Sequence, residues 1–428
     1  MVIKTNKFKI NSFLIRVIFL SQTVFGQSNS EITLDQLQAA AQAYYPILKQ
    51  KELYAQLSVS KKQALNTNYL PQIALVGSAT FQSEVTNFNF SIPGVVPFSQ
   101  KPDQYSFGVE LKENIFDYGA IKTQKSIESM LAEIQNKQLD AEFIKVKERI
   151  DQLFATLQLS IENRSILQSK TLELEAKQNK IASQVRNGAA LKSNLLSIEA
   201  ELLLTSQRIT EVESTQKSCL EVLMLLTNQK FDSTTKFIDN QKNYSLKSTN
   251  NRPEFALFDL QKNTNILREK MITKTNLPKL YVFGRGYFGR PGYNFLNNDF
   301  RTYGMIGAGL SWNISGYYTT GKEKKNLQIA SSIVTVQKET FELNLNALLI
   351  QQKEELLKLD KMIEMDLKIE ALKKEILAVS SSQLDNGTIT TAEYIIDLNA
   401  DQQARSMTLL HKVQLMMVKR AYNTTLGY

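Results

Sequence analysis

Few side chains in this sequence have the types and spacing for covalent or metal chemistry. His411 is its one histidine and Cys219 its one cysteine. Neither has a second imidazole or thiol at ligand spacing, so a zinc site and a Ser-His-Asp relay both lack their parts. His411 lies beside the helical stripe Leu410, Val413, Met417, where a surface position is the expectation. Gly284-Arg285-Gly286-Tyr287-Phe288-Gly289 spells G-x-G-x-x-G, the pattern of a phosphate-cradling loop. It leads to Arg290-Pro291-Gly292 and not into a helix, whose N-terminus the pyrophosphate would need; small residues on a closely packed strand account for it. Met362 and Met365 share a stripe with Ile369, Leu372, Ile376 and Val379, which predicts core packing and not a metal or cofactor box. No nucleophile-base pair remains, so the reading is a non-enzyme without cofactor or metal.

What is left to explain is architecture. Residues 1–26 carry Lys4, Lys7, Lys9 and Arg16 without an acid around the apolar stretch Phe13 to Phe25, which reads as an export signal cleaved near Gly26. The chain is +9 overall, with 51 basic against 42 acidic residues; without those four cations the balance falls to about +5. The charges are spaced along helix faces with no basic block interleaved with aromatics, which argues against nucleic acid. A lone cysteine forms no intrachain disulfide, and none stands near the signal's end to accept a lipid. Beyond the signal no apolar run approaches the ~20 residues of a membrane-crossing helix. Any crossing therefore falls to strands, because only helices and closed barrels satisfy their backbone in lipid.

The chain repeats itself. Leu70-Pro71-Gln72-Ile73-Ala74-Leu75-Val76-Gly77 returns as Leu277-Pro278-Lys279-Leu280-Tyr281-Val282-Phe283-Gly284. Tyr105-Ser106-Phe107-Gly108-Val109-Glu110-Leu111 is answered by Gly304-Met305-Ile306-Gly307-Ala308-Gly309-Leu310, and Arg186-Asn187-Gly188 by Asp385-Asn386-Gly387. Two units follow, 27–250 and 251–428, each helix, strand, strand, long helix, turn, helix.

Apolar residues at Leu139, Phe143, Val146, Ile150, Leu153 and Leu157 step by four and three, the 3.5-residue repeat of coiled-coil packing. The same steps run Leu191, Leu195, Ile198, Leu202, Thr205, Ile209, Val212 and on to Cys219, Leu223 and Leu226, placing Cys219 in a core. Helices over about 117–185 and 317–384 would each be roughly 100 Å long. Shorter helices are expected over about 33–70, 191–228, 251–277 and 390–420, two beside each long one.

Strands are expected at about 72–84 and 104–115, and at 279–289 and 303–314. Tyr105, Phe107, Val109 and Leu111 alternate with Ser106, Gly108, Glu110 and Lys112, so one face is apolar and the other charged. Ile306, Ala308, Leu310 and Trp312 form the matching row, with Trp312 placed for an interfacial girdle. The same register puts Ile73, Leu75, Ala79, Phe81, Leu280, Val282 and Phe288 toward lipid, and Glu110, Lys112 and Arg285 toward a wet lumen. The connections at 85–103 and 290–301, with Phe88, Phe90, Phe98 and Tyr293, read as outward loops. Four strands cannot close a barrel, whose smallest single-chain form has eight; three copies would supply 12.

In the order and spacing of these pieces, over nearly all of the chain after the signal, the sequence resembles the TolC family of outer-membrane efflux and secretion channels. Its most specific matches are Asn114-Ile115-Phe116-Asp117-Tyr118-Gly119, similar to the family's strand-to-helix junction, and the two Asn-Gly turns. The resemblance implies a mainly α protein with membrane β structure: long antiparallel coiled-coil helices forming an α-barrel across the periplasm, plus four strands per chain in a trimeric 12-stranded outer-membrane β-barrel of a Gram-negative bacterium. It implies a homotrimer in outer-membrane lipid, working with a periplasmic adaptor and an inner-membrane transporter. Adaptor docking would fall on the tips Arg186, Asn187, Gly188, Asp385, Asn386 and Gly387. Acids at the start of the last helix would narrow the pore: Glu393 holds one such position, Ile396 the second, and Asp397 adjoins it. The competing reading is a periplasmic adaptor or coiled-coil scaffold without a pore, which would carry one hairpin between halves of a compact β domain.

Overall fold

The structure, a computed structural model, describes residues 31–87, 93–94, 98–231, 235–238 and 246–428. The export signal, Phe88 and Phe90 lie outside them. The chain enters through β1 (Glu31–Thr33) and α1 (Leu34–Tyr44). A capping box starts α1: Thr33 Oγ1 accepts from Gln36 N while Gln36 Oε1 accepts from Thr33 N at 2.9 Å. The expected continuous helix over 33–70 is broken. Pro46 brings no N–H and forces Tyr45 into extended backbone, so a 3₁₀ turn, Pro46–Lys49, intervenes before α2 (Gln50–Asn66).

Strands β2 (Gln72–Phe81) and β3 (Asp103–Phe116) lead into α3 (Ala120–Arg186), with 67 residues. Asp117 explains this junction, since its two carboxylate oxygens accept from Gly119 N and Ile121 N, both at 2.8 Å, while Gly119 turns the chain at φ 72°. Then follow α4 (Lys192–Thr227), β4 (Lys236–Ile238), α5 (Pro253–Thr275), β5 (Lys279–Arg290), β6 (Arg301–Ser311), α6 (Tyr317–Asp385, 69 residues) and α7 (Thr391–Thr425). At 1.5 Å per residue α3 and α6 each run about 100 Å.

Helices pack as two hairpins, α3 with α4 and α6 with α7, and α3 also lies against α2, α5 and α7. One core joins α1, α3, α4 and α7 around Leu37, Ile150, Phe154, Leu157 and Leu223, with Cys219 buried in it as expected. A second, nearer the hairpin turns, gathers Leu174, Ile181, Ile198, Leu377, Tyr394 and Leu398. The Met362 to Val379 stripe does not behave as expected: Met365 is 53% exposed and Leu372 61%. Helix α7 instead covers the α6 face that buries Leu359, Leu377 and Ser380, and the heptad stripe lies on an open side of the chain.

The strands β1 and β4, absent from the sequence reading, pair in parallel, Ile32 opposite Phe237. Each has three residues, too few for alternation to register. The other four form one antiparallel sheet in the order β2-β3-β5-β6, so the two strand pairs β2-β3 and β5-β6 join along β3 and β5. Strand ends shift by one to three residues, and Trp312 falls just past β6, where its Nε1 donates to Asn276 O at 3.1 Å.

Candidate functional site

Two regions concentrate the residues that sequence singled out: the sheet and the hairpin turns. In the sheet, register fixes the faces. Leu75 stands opposite Val109, Val109 opposite Gly286, Leu111 opposite Gly284, and Gly284 opposite Ile306, so Ile73, Leu75, Phe107, Val109, Leu111, Val282, Ile306 and Leu310 share one face. That face is open: Ile306 is 89% exposed. The opposite face holds Ser78 and Ser106, bonded at 2.8 Å, with Glu110, Lys112, Lys279, Arg285 and Arg301. Glu110 and Arg285 are direct cross-strand partners, with Arg285 Nε 3.6 Å from Glu110 Oε1, and the Tyr287 hydroxyl also donates to Glu110. Within the strands, the residues read as lipid-facing and those read as lumen-facing lie on opposite faces, and Asp103, Glu113 and Arg290 stand on the apolar side near the strand ends. The reading missed that the charged face also carries Tyr281, Phe283, Tyr287 and Tyr303.

At the far end of the helices both turns are Schellman motifs. Gly188 N donates to Val185 O and Ala189 N to Gln184 O; Gly387 N donates to Leu384 O and Thr388 N to Gln383 O. Gly188 and Gly387 have φ 72° and 74°, which a side chain would strain, though nothing stands near either Cα. Arg186, Asn187, Asp385 and Asn386 are exposed beside them. Between the two tips lies a cleft of about 340 Å³ lined by Gln184, Asn194, Leu384, Gly387, Thr390 and Glu393.

The proposed gate acids occupy different settings. Glu393 closes a capping box at the start of α7: its Oε2 accepts from Thr390 N at 2.7 Å and from Thr390 Oγ1 at 2.9 Å. The Thr390 backbone N–H, with its hydroxyl, holds the Glu393 carboxyl below its ordinary range. Asp397, half-buried one turn on, accepts from Ser380 of α6.

A set of contacts unforeseen in the sequence ties the second hairpin to the first. Tyr394 is fully buried and its hydroxyl donates to Glu173 Oε1 of α3 at 2.6 Å; burial first, then the Glu173 carboxylate, pushes the phenol upward. Lys177 of α3 donates to Asp385 at 2.8 Å and to Ser381 O at 3.3 Å, with Lys180 3.0 Å from Asp385. Lys177, with Lys180, keeps the Asp385 carboxyl below its usual range. Further from the tips, buried Lys170 donates to Glu201 of α4 at 2.6 Å and to Asn399 and Gln402 of α7 at 2.6 and 3.0 Å. Lys170 had a visible signal, a cation on the apolar stripe between Leu167 and Leu174. Glu173 and Lys177 had none, since their partners lie more than 200 residues away.

His411 is corrected: it is 6% exposed, and its Nδ1 pairs with Asp366 of α6. His411 lies on the side of α7 that packs against α6, whereas Met407 and Lys412 on the same stretch stay exposed. Among the described residues no group of His, Cys, Asp or Glu is arranged to hold a metal, and no helix is long and apolar enough to cross a membrane.

No protein-family model and no curated protein matches this chain. Solved structures do. CusC, described for its transmembrane channel formation, aligns with a TM-score of 0.71 at 12% identity over 92% of each chain. The outer-membrane protein VceC of Vibrio cholerae aligns at 0.68 and 11%, covering 92% of this chain and 96% of its own. The outer-membrane channel CmeC of Campylobacter jejuni aligns at 0.66 and 12%, covering 92% and 85%. The fold is that of TolC-like outer-membrane channels.

Proposed function

We propose that this chain is the outer-membrane exit duct of a tripartite efflux pump or type I secretion system, passively conducting substrates from the periplasm or an inner-membrane transporter to the exterior. The observation that carries the reading is the sheet: one open, mostly apolar face, one charged face, and two edges, β2 and β6, that have no partner strand among the described residues. Lipid accepts such a sheet only when its edges are closed. Three copies close a 12-stranded barrel, and the helices below it join along exposed stripes such as Met365, Ile369 and Leu372, forming a second ring across the periplasm. This homotrimer sits in outer-membrane lipid and receives a periplasmic adaptor at Arg186, Asn187, Gly188, Asp385, Asn386 and Gly387.

The conducting path is water-filled and carries no energy source, so the protein's part is to shape and gate it. Glu393 and Asp397, near the start of α7, form the gate. The Tyr394–Glu173 bond and the Lys177–Asp385 pair hold the α6–α7 hairpin against α3, so opening requires these ties to break. A partly exposed Asp385 keeps the Lys177 tie weak enough to open and close reversibly.

Extraction of the full chain from outer membranes tests the whole reading. A detergent-stable, heat-modifiable trimer that forms conducting pores in planar bilayers is the expected result; a soluble periplasmic monomer, as a scaffold would be, overturns it. Crosslinkers placed at Asn187 and Asn386 should capture a periplasmic adaptor, and silence at both positions removes the docking role.

A further inference from the structure

The wet face of the sheet is paved with rings. Tyr281 stands opposite Gly309, Phe283 opposite Gly307 and Tyr287 opposite Gly108. A methyl group on these glycines would come within 2.5 Å of the Tyr281 ring, 2.8 Å of Phe283 and 2.4 Å of Tyr287. The Tyr281 and Phe283 rings therefore lie over the bare backbone of β6, whereas at Gly108 it is chiefly the β5 backbone, with Gly286 O at 2.2 Å, that leaves no room for a side chain. Glycine inside a strand is costly in entropy, by about 0.5–1 kcal/mol each. A sheet needing only polar cover could use threonine or serine, as β2 does at Ser78 and Thr80.

Cations accompany the rings. Lys112 Nζ is 4.2 Å from the Tyr281 ring centre and the Arg285 guanidinium 5.0 Å from Phe283. The Glu110 carboxylate on this face is occupied by Arg285 and Tyr287. Lys112 and Lys279 are left as positive charge beside flat apolar surface.

We propose that this array is a low-affinity cargo site in the exit lumen, selective for planar aromatic anions: the rings stack the cargo's π-system and Lys112 with Lys279 receive its acidic group. Repeated in each protomer, the array makes a ring of such sites around the bore. Rings laid flat keep the bore wide, and contact of this strength lets cargo enter and leave. The inference rests on the duct reading above.

The test is current through the full-length protein in planar lipid bilayers, with naphthalene-2-sulfonate or cyclohexanesulfonate added on the barrel side. Both carry one sulfonate, and only the first has a π-face. Naphthalene-2-sulfonate should block at a concentration about tenfold lower, from one stacking contact. Tyr281→Leu with Phe283→Leu should abolish that difference, and Lys112→Gln should weaken both anions alike while keeping the difference; conductance in each variant reports a folded pore. Equal block by the two anions in the unaltered pore overturns the cargo site and leaves the duct standing. Absence of any pore overturns the duct and this site with it.

Discussion

Asp151 shows how a single buried carboxyl sets a pH dependence. It lies on α3 beside Gln38 of α1, and burial raises its pKa from 3.8 to about 6, against the lowering pull of Gln38, Arg420 and Lys147. The folded value is above the unfolded one, so folding favours the protonated form; that stabilisation is complete below 3.8 and is lost as pH rises through about 6. Asp151→Asn should therefore raise stability at pH 7.5 by roughly 1–3 kcal/mol and change it little at pH 4. Thermal melts of both proteins across that range check it, and an advantage that persists at pH 4 would contradict the assignment. The turn glycines act through backbone alone: Gly387→Ala forces a Cβ into φ 74° and should cost about 1 kcal/mol. Because nothing crowds Gly387, Gly387→Asn should recover most of that loss in the same melts.

At the level of elements, two kinds of tie join the hairpins. Lys170 is buried with three acceptors from α4 and α7, whereas Lys177 and Lys180 reach a partly exposed Asp385. Lys170→Met strands Glu201 in the helix interface and should destabilise by about 3 kcal/mol. Lys177→Ala should cost about 1 kcal/mol, less than Lys170→Met, because water reaches its partner Asp385. Function should reverse this order: Lys177→Ala and Tyr394→Phe loosen the latch and raise single-pore conductance. Conductance unchanged in both would remove the latch from the mechanism. Lys170 was legible as a misplaced cation on a heptad stripe. The break at Pro46 was equally legible, because a proline excludes the helix before it, yet the apolar pattern on both sides hid it. The β1–β4 pair was not legible, for three-residue strands carry no period.

At the scale of the whole molecule, the described residues leave open an apolar sheet face, two sheet edges and a heptad stripe, the surfaces that the proposed trimer would cover. Ile306 points where lipid would be, and Ile306→Arg should cost about 2–4 kcal/mol near the bilayer midplane. Ser78→Arg, on the charged face of the same sheet, should leave the heat-resistant trimer band intact. Comparable loss of that band in both variants would mean that the two faces are not lipid and lumen.

Sequence by itself determined most of the elements: heptad steps and helical patterning drew α3, α4, α6 and α7 to within a few residues, and alternation assigned both sides of β3, because period dictates which side chains share a surface. It also placed the two turns, since Asn-Gly after a helix demands the left-handed conformation. Tertiary structure alone decided which stripe of α6 meets α7, that His411 is enclosed against Asp366, that rings and glycines pair across β3, β5 and β6, and that Tyr394 reaches Glu173. Each of these depends on the rotation of one element against another distant in sequence, and a periodic pattern leaves that rotation free.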